Sequence, residues 1–232
     1  MVWYRGVAGG IGRIGDVTGF EHSGRVWMRN ALAEGEGEAI LDGLGHLAGA
    51  VQRVTLSGGL GETLEASETV RALRATWPGM RPVRAVYFDK TEAVNWALPW
   101  HQDRVIAVRE RAEVPGYRNW TRKAGVWHCE PPERVLSAML FTRFHLDDAA
   151  GDEGAMEIAL GSHRRGVVAA EEAEAIAASC PVEVTEARAG DVLILNMLIL
   201  HRSRAAQKPR QRRVLRVDFA PFDLPRPLEW AG

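Results

Sequence analysis

The sequence predicts a mainly β (α+β) fold that forms a single domain over residues 1–232. The chain has 232 residues, a length that β-barrels and β-sandwiches commonly reach as one domain. From Pro82 onward, short runs rich in β-branched and aromatic residues are separated by Gly, Pro and Asp, as expected for successive strands. Helical periodicity is strongest before residue 80, and no internal repeat divides the chain.

Composition limits the classes of partner. The formal net charge is -1 and the pI is about 6.7, so no basic field favours nucleic acid or a membrane surface. Cys129 and Cys180 lie far apart, without the spacing of a disulfide framework or a thiolate metal site. No signal-peptide pattern begins the chain, and no apolar run reaches about 18 residues. We therefore expect an unprocessed cytoplasmic protein whose partner is a small molecule.

The region before residue 80 has two parts. Residues 1–30 are expected to be a flexible or loosely docked segment. Residues 10–15 match G-x-G-x-x-G, but the strand and helix that a dinucleotide site needs are missing on either side. Residues 31–80 are expected to be helical support, with one helix over 38–54. A second helix, capped by Ser67, places Val70, Leu73 and Trp77 on one face.

The β core is predicted over residues 81–220. Strands are expected, in order, over residues 82–88, 101–109, 136–146, 156–160, 182–184, 191–201 and 213–219, with a helix near 171–179. The connection over 109–132 is long for a compact domain and carries Trp120 and Trp127. These features favour a lid packed over a pocket rather than a structural loop.

Three residues form a candidate metal site. On a strand, residues i and i+2 point the same way, so His101 and Asp103 would face one ion together while Gln102 points to the other side. A third ligand, His201, ends the apolar run that begins at Asp191. Two histidines and one carboxylate with open positions form the facial triad of non-haem Fe(II) oxygenases.

Arginines suggest where an anion would bind. Arg143 lies in the middle of a predicted strand beside Phe141, so its guanidinium needs an anion, either a structural acid or a ligand. The last strand begins in a basic cluster, and one of its arginines could present a rigid fork to a carboxylate. This cluster comprises Lys208, Arg210, Arg212 and Arg213.

The candidate metal ligands and Arg212 follow one another along the chain in a series that includes three further motifs. The whole series is Pro99-Trp100-His101-Gln102-Asp103, His145-Leu146-Asp147-Asp148, Gly154-Ala155-Met156 leading to Gly161-Ser162-His163, Ala189-Gly190-Asp191, and His201-Arg202-Ser203 with Arg212. In this order and spacing, roughly residues 80–220 resemble the phytanoyl-CoA dioxygenase family of Fe(II)/2-oxoglutarate oxygenases.

The resemblance implies a fold and a set of roles. The fold is a double-stranded β-helix, a jelly-roll or cupin-like barrel with helices packed outside. His101, Asp103 and His201 match the metal ligands. Arg212 matches the arginine that holds the side-chain carboxylate of 2-oxoglutarate, with Arg213 as the alternative one residue away. Two further residues match positions beside the cosubstrate, Ser203 as a second contact and Arg143 at its border.

The resemblance also implies a reaction. With Fe(II), 2-oxoglutarate and O2, the enzyme would hydroxylate a C–H bond of a small molecule and convert 2-oxoglutarate to succinate and CO2. Asp103 favours hydroxylation over halogenation, since halogenating relatives carry a small residue at that position. The alternative is a cupin-like protein that binds a divalent metal without 2-oxoglutarate chemistry.

Overall fold

Thirteen strands and six short α-helices are found in residues 14–45, 49–93 and 95–232, which the computed structural model describes. The helices are α1 Phe20–Ser23, α2 Glu36–Leu44, α3 Gly59–Ala66, α4 Glu68–Thr76, α5 Glu133–Ser137 and α6 Ala173–Ala178. The strands are β1 Arg25–Met28, β2 Val51–Val54, β3 Arg81–Lys90, β4 Leu98–His101, β5 Ile106–Val108, β6 Arg118–Lys123, β7 Val126–Glu130, β8 Leu140–His145, β9 Met156–Ala159, β10 Val182–Val184, β11 Val192–Asn196, β12 His201–Ser203 and β13 Arg212–Ala220. No helix in these ranges is long and apolar enough to cross a membrane.

Two antiparallel sheets form a double-stranded β-helix. The larger sheet has the order β1-β11-β8-β13-β3-β2, and the smaller has the order β10-β9-β12-β4. The chain passes repeatedly from one sheet to the other, as in a jelly roll. Buried side chains of the two sheets meet between them, where Phe141 and Leu193 share a core with Ile158. The predicted fold is therefore confirmed.

Helices α2, α3 and α4 cover the outer face of the larger sheet. Their buried residues Ile40, Leu64 and Leu73 belong to one core with Phe144 and Leu215. Helix α4 begins at the predicted cap, because Ser67 Oγ accepts a hydrogen bond of 3.3 Å from the backbone N–H of Val70.

The predicted helix over 38–54 is wrong in its second half. Helix α2 ends at Leu44, and Val51–Val54 is a strand that pairs with β3 at the edge of the larger sheet. Gly45 follows α2 with a φ of 64°, a conformation that stops a helix. Helix α3, which the sequence reading did not anticipate, then fills the interval before Ser67.

The N-terminal segment is not loosely docked where the structure describes it. Residues Arg25–Met28 form strand β1, which pairs with β11, and Val26 and Met28 are buried. Asp191 fixes the end of this strand by accepting hydrogen bonds from Asn30 N at 2.8 Å and Arg29 Nη1 at 2.7 Å. The motif over 10–15 lies outside the described residues, except for its last two positions.

Two predicted strands are interrupted. The strand expected over 136–146 begins only at Leu140, because Pro132 starts helix α5 and accepts a hydrogen bond from Val135 N at 2.8 Å. The strand expected from 101 to 109 breaks after His101 and resumes at Ile106. His101 and Asp103 therefore do not lie on one continuous strand.

The apolar run before His201 changes sheets. Strand β11 ends at Asn196, whose Oδ1 accepts a hydrogen bond of 2.9 Å from Leu198 N and closes a turn. His201 then begins β12 in the opposite sheet. The prediction of one strand from Asp191 to His201 is therefore wrong.

The predicted lid over 109–132 is largely a sheet. Strands β5, β7 and β6 form a three-stranded antiparallel sheet. The rings of Trp120 and Trp127 meet edge to face at 6.5 Å and pack on the core that includes Phe141 and Leu193. The sheet therefore packs on the barrel core, and 109–117 is the longest irregular stretch of the connection.

Candidate metal centre

Two histidines face each other across the smaller sheet. His101 ends β4 and is paired directly with His201, the first residue of β12. Asp103 follows two residues after His101, and its Oδ2 lies 3.3 Å from His201 Nε2. One ligand atom of each residue lies within 4.8 Å of the others. With metal–ligand distances of about 2.1 Å, neighbouring ligands of one ion lie about 3 Å apart, so small shifts bring the three groups to an ion.

The ring orientation of both histidines suits a metal. His101 Nδ1 lies 2.8 Å from Pro99 O, and His201 Nδ1 lies 3.0 Å from Ile199 O. Because a carbonyl oxygen only accepts, each Nδ1 carries the hydrogen and each Nε2 offers its lone pair to the centre. Burial, followed by the neighbouring His201, lowers the pKa of His101, which keeps that ring neutral and able to bind a metal.

Backbone contacts fix the positions of these ligands. Gln102 points away from the centre, where its Nε2 donates to Leu198 O at 2.6 Å and its Oε1 accepts from Val168 N at 2.8 Å. Ser162 accepts a hydrogen bond of 2.9 Å from Leu200 N, directly before His201. These two polar side chains hold the turn that carries Asp103 and the strand that carries His201.

Arg216 connects Asp103 to the larger sheet. Its Nη1 donates to Asp103 Oδ2, its Nε donates to Asp218 Oδ1 at 2.6 Å, and its guanidinium lies 4.2 Å from the centre of the Phe141 ring. Burial alone would raise the pKa of Asp103, but Arg216 and then His201 hold it well below its usual value. The carboxylate is therefore ionised and ready to bind a cation.

Three cations lie further along the same inner face. Strand register pairs Arg143 with Arg216 and Arg212 with Lys90, and residues directly opposite each other share a face of the sheet. Lys90, Arg143 and Arg212 are all buried. In the described part of the chain, Arg143 Nε and both Nε and Nη1 of Arg212 have no hydrogen-bond partner.

The electrostatics of this group are unfavourable without an anion. Burial, then repulsion by Arg212 and Arg143, lowers the pKa of Lys90 to about 8. Burial, then repulsion by Arg212, lowers the pKa of Arg143 to about 9. Buried charges need a partner, so this arrangement fits a bound dicarboxylate.

Ser203 and His145 border the three cations. Ser203 Oγ accepts a hydrogen bond of 2.8 Å from Lys90 Nζ, which also donates to Trp96 O at 3.2 Å. His145 is buried with neither ring nitrogen partnered among the described residues, and burial followed by Arg143 holds its pKa well below its usual value. His145 is thus a neutral polar group beside the cations.

Arg213 points to the opposite face from Arg212. It forms a two-pronged ion pair with Asp147, with Nε to Oδ2 at 2.8 Å and Nη2 to Oδ1 at 2.7 Å. Its guanidinium is therefore already partnered. The other members of the basic cluster also pair outside the barrel, Lys208 with Asp152 and Arg210 with Glu153.

A sequence comparison decides the family. The model of the family described as phytanoyl-CoA dioxygenase (PhyH) matches residues 20–214, which is most of the chain. The chain belongs to the phytanoyl-CoA dioxygenase family. It is accordingly a non-haem Fe(II)- and 2-oxoglutarate-dependent oxygenase, and it uses O2. A comparison with curated proteins gave no match.

Solved structures with the same fold include one that holds 2-oxoglutarate and one whose activity depends on it. AviO1 from Streptomyces viridochromogenes Tue57 superposes with a TM-score of 0.61 at 18% identity, over 91% of this chain and 96% of that chain. HygX from Streptomyces hygroscopicus, solved with nickel and 2-oxoglutarate, gives 0.59 at 17% identity, over 88% and 85%. SnoK, a non-haem α-ketoglutarate-dependent carbocyclase from nogalamycin biosynthesis, gives 0.60 at 19% identity, over 89% and 83%. At these identities the similarity concerns the fold alone.

The sequence pattern did not single out two residues of the candidate site. Lys90 and Arg216 both face the interior, but neither was singled out as a site residue. Alternation along β13 was the available signal, since Arg212, Arg216 and Asp218 fall on one face of a largely apolar strand. For Lys90 the signal was weaker, because the end of β3 could not be separated from the following loop.

Proposed function

We propose that this enzyme hydroxylates a C–H bond of a small molecule, with conversion of 2-oxoglutarate to succinate and CO2. In this proposal His101, Asp103 and His201 hold Fe(II). Arg212 binds the side-chain carboxylate of 2-oxoglutarate, assisted by Ser203 and Arg143. The cytoplasmic location and the absence of nucleic-acid and membrane partners remain predictions.

The observation that carries this proposal is the pair of unpartnered arginines beside the ligand triad. Arg212 and Arg143 are buried and share the inner face with Arg216, which touches Asp103. Among the described residues, three of their guanidinium nitrogens have no hydrogen-bond partner. A dicarboxylate that reaches from the triad to Arg212 would satisfy these donors. We add Lys90 to this group, because its ammonium lies beside Ser203.

The protein contributes binding, orientation and exclusion of water. Bound iron and 2-oxoglutarate would supply the oxidising chemistry, while the residues of the chain position the reactants. The Nδ1 hydrogen bonds to Pro99 and Ile199 keep both histidine rings in the ligand orientation. The presence of a carboxylate at Asp103 supports hydroxylation rather than halogenation. Apolar neighbours, including Phe141 beside His201, keep water away from the centre.

Anaerobic titration with Fe(II) and 2-oxoglutarate tests this assignment. The chelate is expected to give a weak visible charge-transfer band in the wild-type protein. His101→Ala should abolish the band by removing a ligand. Arg212→Ala should weaken 2-oxoglutarate binding about 100-fold, since it removes two charge-assisted hydrogen bonds.

Arg213→Ala is the matched control, since Arg213 is adjacent in sequence but is paired with Asp147 on the other face. Its 2-oxoglutarate affinity should match the wild type within about threefold. Iron binding without any band in the wild type would refute the cosubstrate assignment. The cupin-like alternative, a divalent-metal protein without 2-oxoglutarate chemistry, would then take its place.

A further inference from the structure

A second group of cations lies on the other side of the metal centre from Arg212. Along β13 the inward residues run from Arg212 through Arg216, which contacts Asp103, to Asp218. At about 3.4 Å per residue, Asp218 lies about 7 Å beyond Arg216 and about 20 Å from Arg212. The proposed cosubstrate pocket therefore occupies one side of the centre, and Asp218 marks the other.

Two arginines, Arg53 and Arg84, are neighbours on this second side. Arg84 Nη1 donates to Asp218 Oδ2 at 3.3 Å and to Val105 O at 3.4 Å. Arg53 on strand β2 is paired with Val86, which is itself paired with Arg216, so its side chain shares the inner face. Arg53 and Arg84 are diagonal neighbours on that face, typically about 7 Å apart.

The donors of this group are incompletely satisfied. Arg84 Nε is buried without a hydrogen-bond partner in the described ranges, while Arg53 is exposed and forms neither a hydrogen bond nor an ion pair there. Partial burial, followed by repulsion from Arg84, lowers the pKa of Arg53. An anion held at Arg84 Nε would satisfy this buried donor, and the exposed Arg53 would add a second charge-assisted contact.

His128 completes this group from the three-stranded sheet. It is buried, and burial followed by repulsion from Arg84 and Arg53 lowers its pKa to about 4. Its Nδ1 lies 3.0 Å from Val126 O and must be the donor, so its Nε2 carries a lone pair. This Nε2 has no partner among the described residues and can accept a hydrogen bond from a ligand hydroxyl.

The cofactor and cosubstrate do not neutralise this interior. Among the buried and half-buried residues that face the metal centre from β3, β8 and β13, five cations face two carboxylates, which leaves an excess of three positive charges. The cations are Lys90, Arg84, Arg143, Arg212 and Arg216, and the carboxylates are Asp103 and Asp218; Arg53, at the edge of the sheet, is exposed. Fe(II) and the 2-oxoglutarate dianion cancel each other, so the excess remains for a further anion.

We propose that Arg53 and Arg84 bind an anionic group of the substrate, a phosphate or a carboxylate, on the side of the metal centre opposite the 2-oxoglutarate pocket. The inference rests on the proposed function, because it assigns the substrate class to that same site. The C–H bond to be hydroxylated then lies between this anionic group and the metal centre.

Titration with inorganic phosphate and with acetate tests the site. The protein is loaded with stoichiometric Ni(II) and saturating 2-oxoglutarate, whose own binding is measured first by calorimetry, so that Arg212 is occupied. Phosphate or acetate binding to the loaded protein should weaken about tenfold or more in Arg53→Gln, because a charge-assisted contact is lost. Arg53→Lys should retain part of the affinity, and the better of the two probes identifies the class of anion.

Arg109→Gln is the control, since Arg109 is exposed, is paired with Glu229, and lies outside the barrel interior. It should bind both probes like the wild type. Equal binding by wild type, Arg53→Gln and Arg109→Gln would overturn the inference, as would no binding of either probe to protein that holds 2-oxoglutarate. Failure of 2-oxoglutarate to bind at the first step would instead refute the proposed function. Because Arg84→Gln also removes contacts to Asp218 and Val105, Arg53 is the decisive position.

Discussion

At the scale of single residues, the interior cations are more easily explained by ligand binding than by stability. Arg143 lies 5.7 Å from the centre of the Phe88 ring and has no carboxylate partner among the described residues. An unpaired buried charge costs free energy in the folded state, and this cost lowers the pKa of Arg143 to about 9. A ligand anion recovers that cost when it binds.

Replacing Arg143 should therefore separate stability from binding. We expect Arg143→Met to raise the free energy of unfolding of the metal-free protein by about 1–3 kcal/mol, because an apolar side chain of similar length replaces an unpaired charge. The same variant should bind 2-oxoglutarate more weakly. Urea denaturation and calorimetry measure the two effects. Arg213→Met should instead lower the free energy of unfolding, since it leaves Asp147 without its partner. Loss of stability in Arg143→Met would show that Arg143 has a structural role.

Lys90 should give the stability of the metal-free protein a pH dependence. Burial lowers the pKa of Lys90 to about 8 in the folded state, from an ordinary value of 10.5. Between these values the unfolded chain holds the proton that the folded chain has lost, so stability from this group rises with pH. Below about pH 8 both states are protonated, and the contribution is constant. Lys90→Met should remove this rise in the free energy of unfolding with pH. Urea denaturation of wild type and variant at pH 7.5, 8.5 and 9.5 measures the rise. Equal pH dependence of the two proteins would refute the prediction.

At the scale of elements, local patterns predicted most strands but not where the chain changes sheets. The alternation and apolar runs around β9, β10 and β13 place these strands correctly. The break between β11 and β12 depends on a turn closed by Asn196 inside an apolar run, where periodicity gives no signal. The short strand β2 was missed because its pairing partner, β3, lies about thirty residues further along the chain.

Local motifs likewise predicted some residues of the candidate site and missed others. His101, Asp103, His201 and Arg212 could be proposed because each lies in a short motif. Only the pairing of β13 and β2 with β3 brings Arg216, Arg84 and Arg53 near the centre. Pairing across a sheet is a non-local property, so spacing along the chain could not bring these residues together.

Strand β1 should be essential to the barrel despite its early position in the chain. Met28 is fully buried against the core that contains Val192 and Ile194. Met28→Ala is therefore expected to lower the free energy of unfolding by about 2–4 kcal/mol. Val51→Ala at the opposite edge of the sheet, where Val51 is 47% exposed, should change it by less than about 1 kcal/mol. Urea denaturation checks both, and equal small effects would mean that β1 is peripheral.

At the scale of the whole molecule, the residues proposed to bind the metal and those proposed to bind 2-oxoglutarate lie mainly on different sheets. The histidines that would hold the metal both lie in the smaller sheet, on β4 and β12. Arg212, Arg143 and Lys90, proposed to bind the cosubstrate, lie in the larger sheet. Metal binding thus joins strands within one sheet, whereas 2-oxoglutarate would connect the two sheets through the interior.

Hydrogen exchange should resolve these two steps. Ni(II) alone is expected to slow exchange in Leu98–His101 and His201–Ser203, because the ion joins the paired histidines. Adding 2-oxoglutarate should extend the protection to the ends of β3 and β13 that carry Lys90 and Arg212. In Arg212→Ala the first protection should remain and the extension should be lost, while Arg213→Ala should show both. Protection of these strand ends by Ni(II) alone, or an extension that survives Arg212→Ala, would mean that the cosubstrate does not connect the two sheets at Arg212.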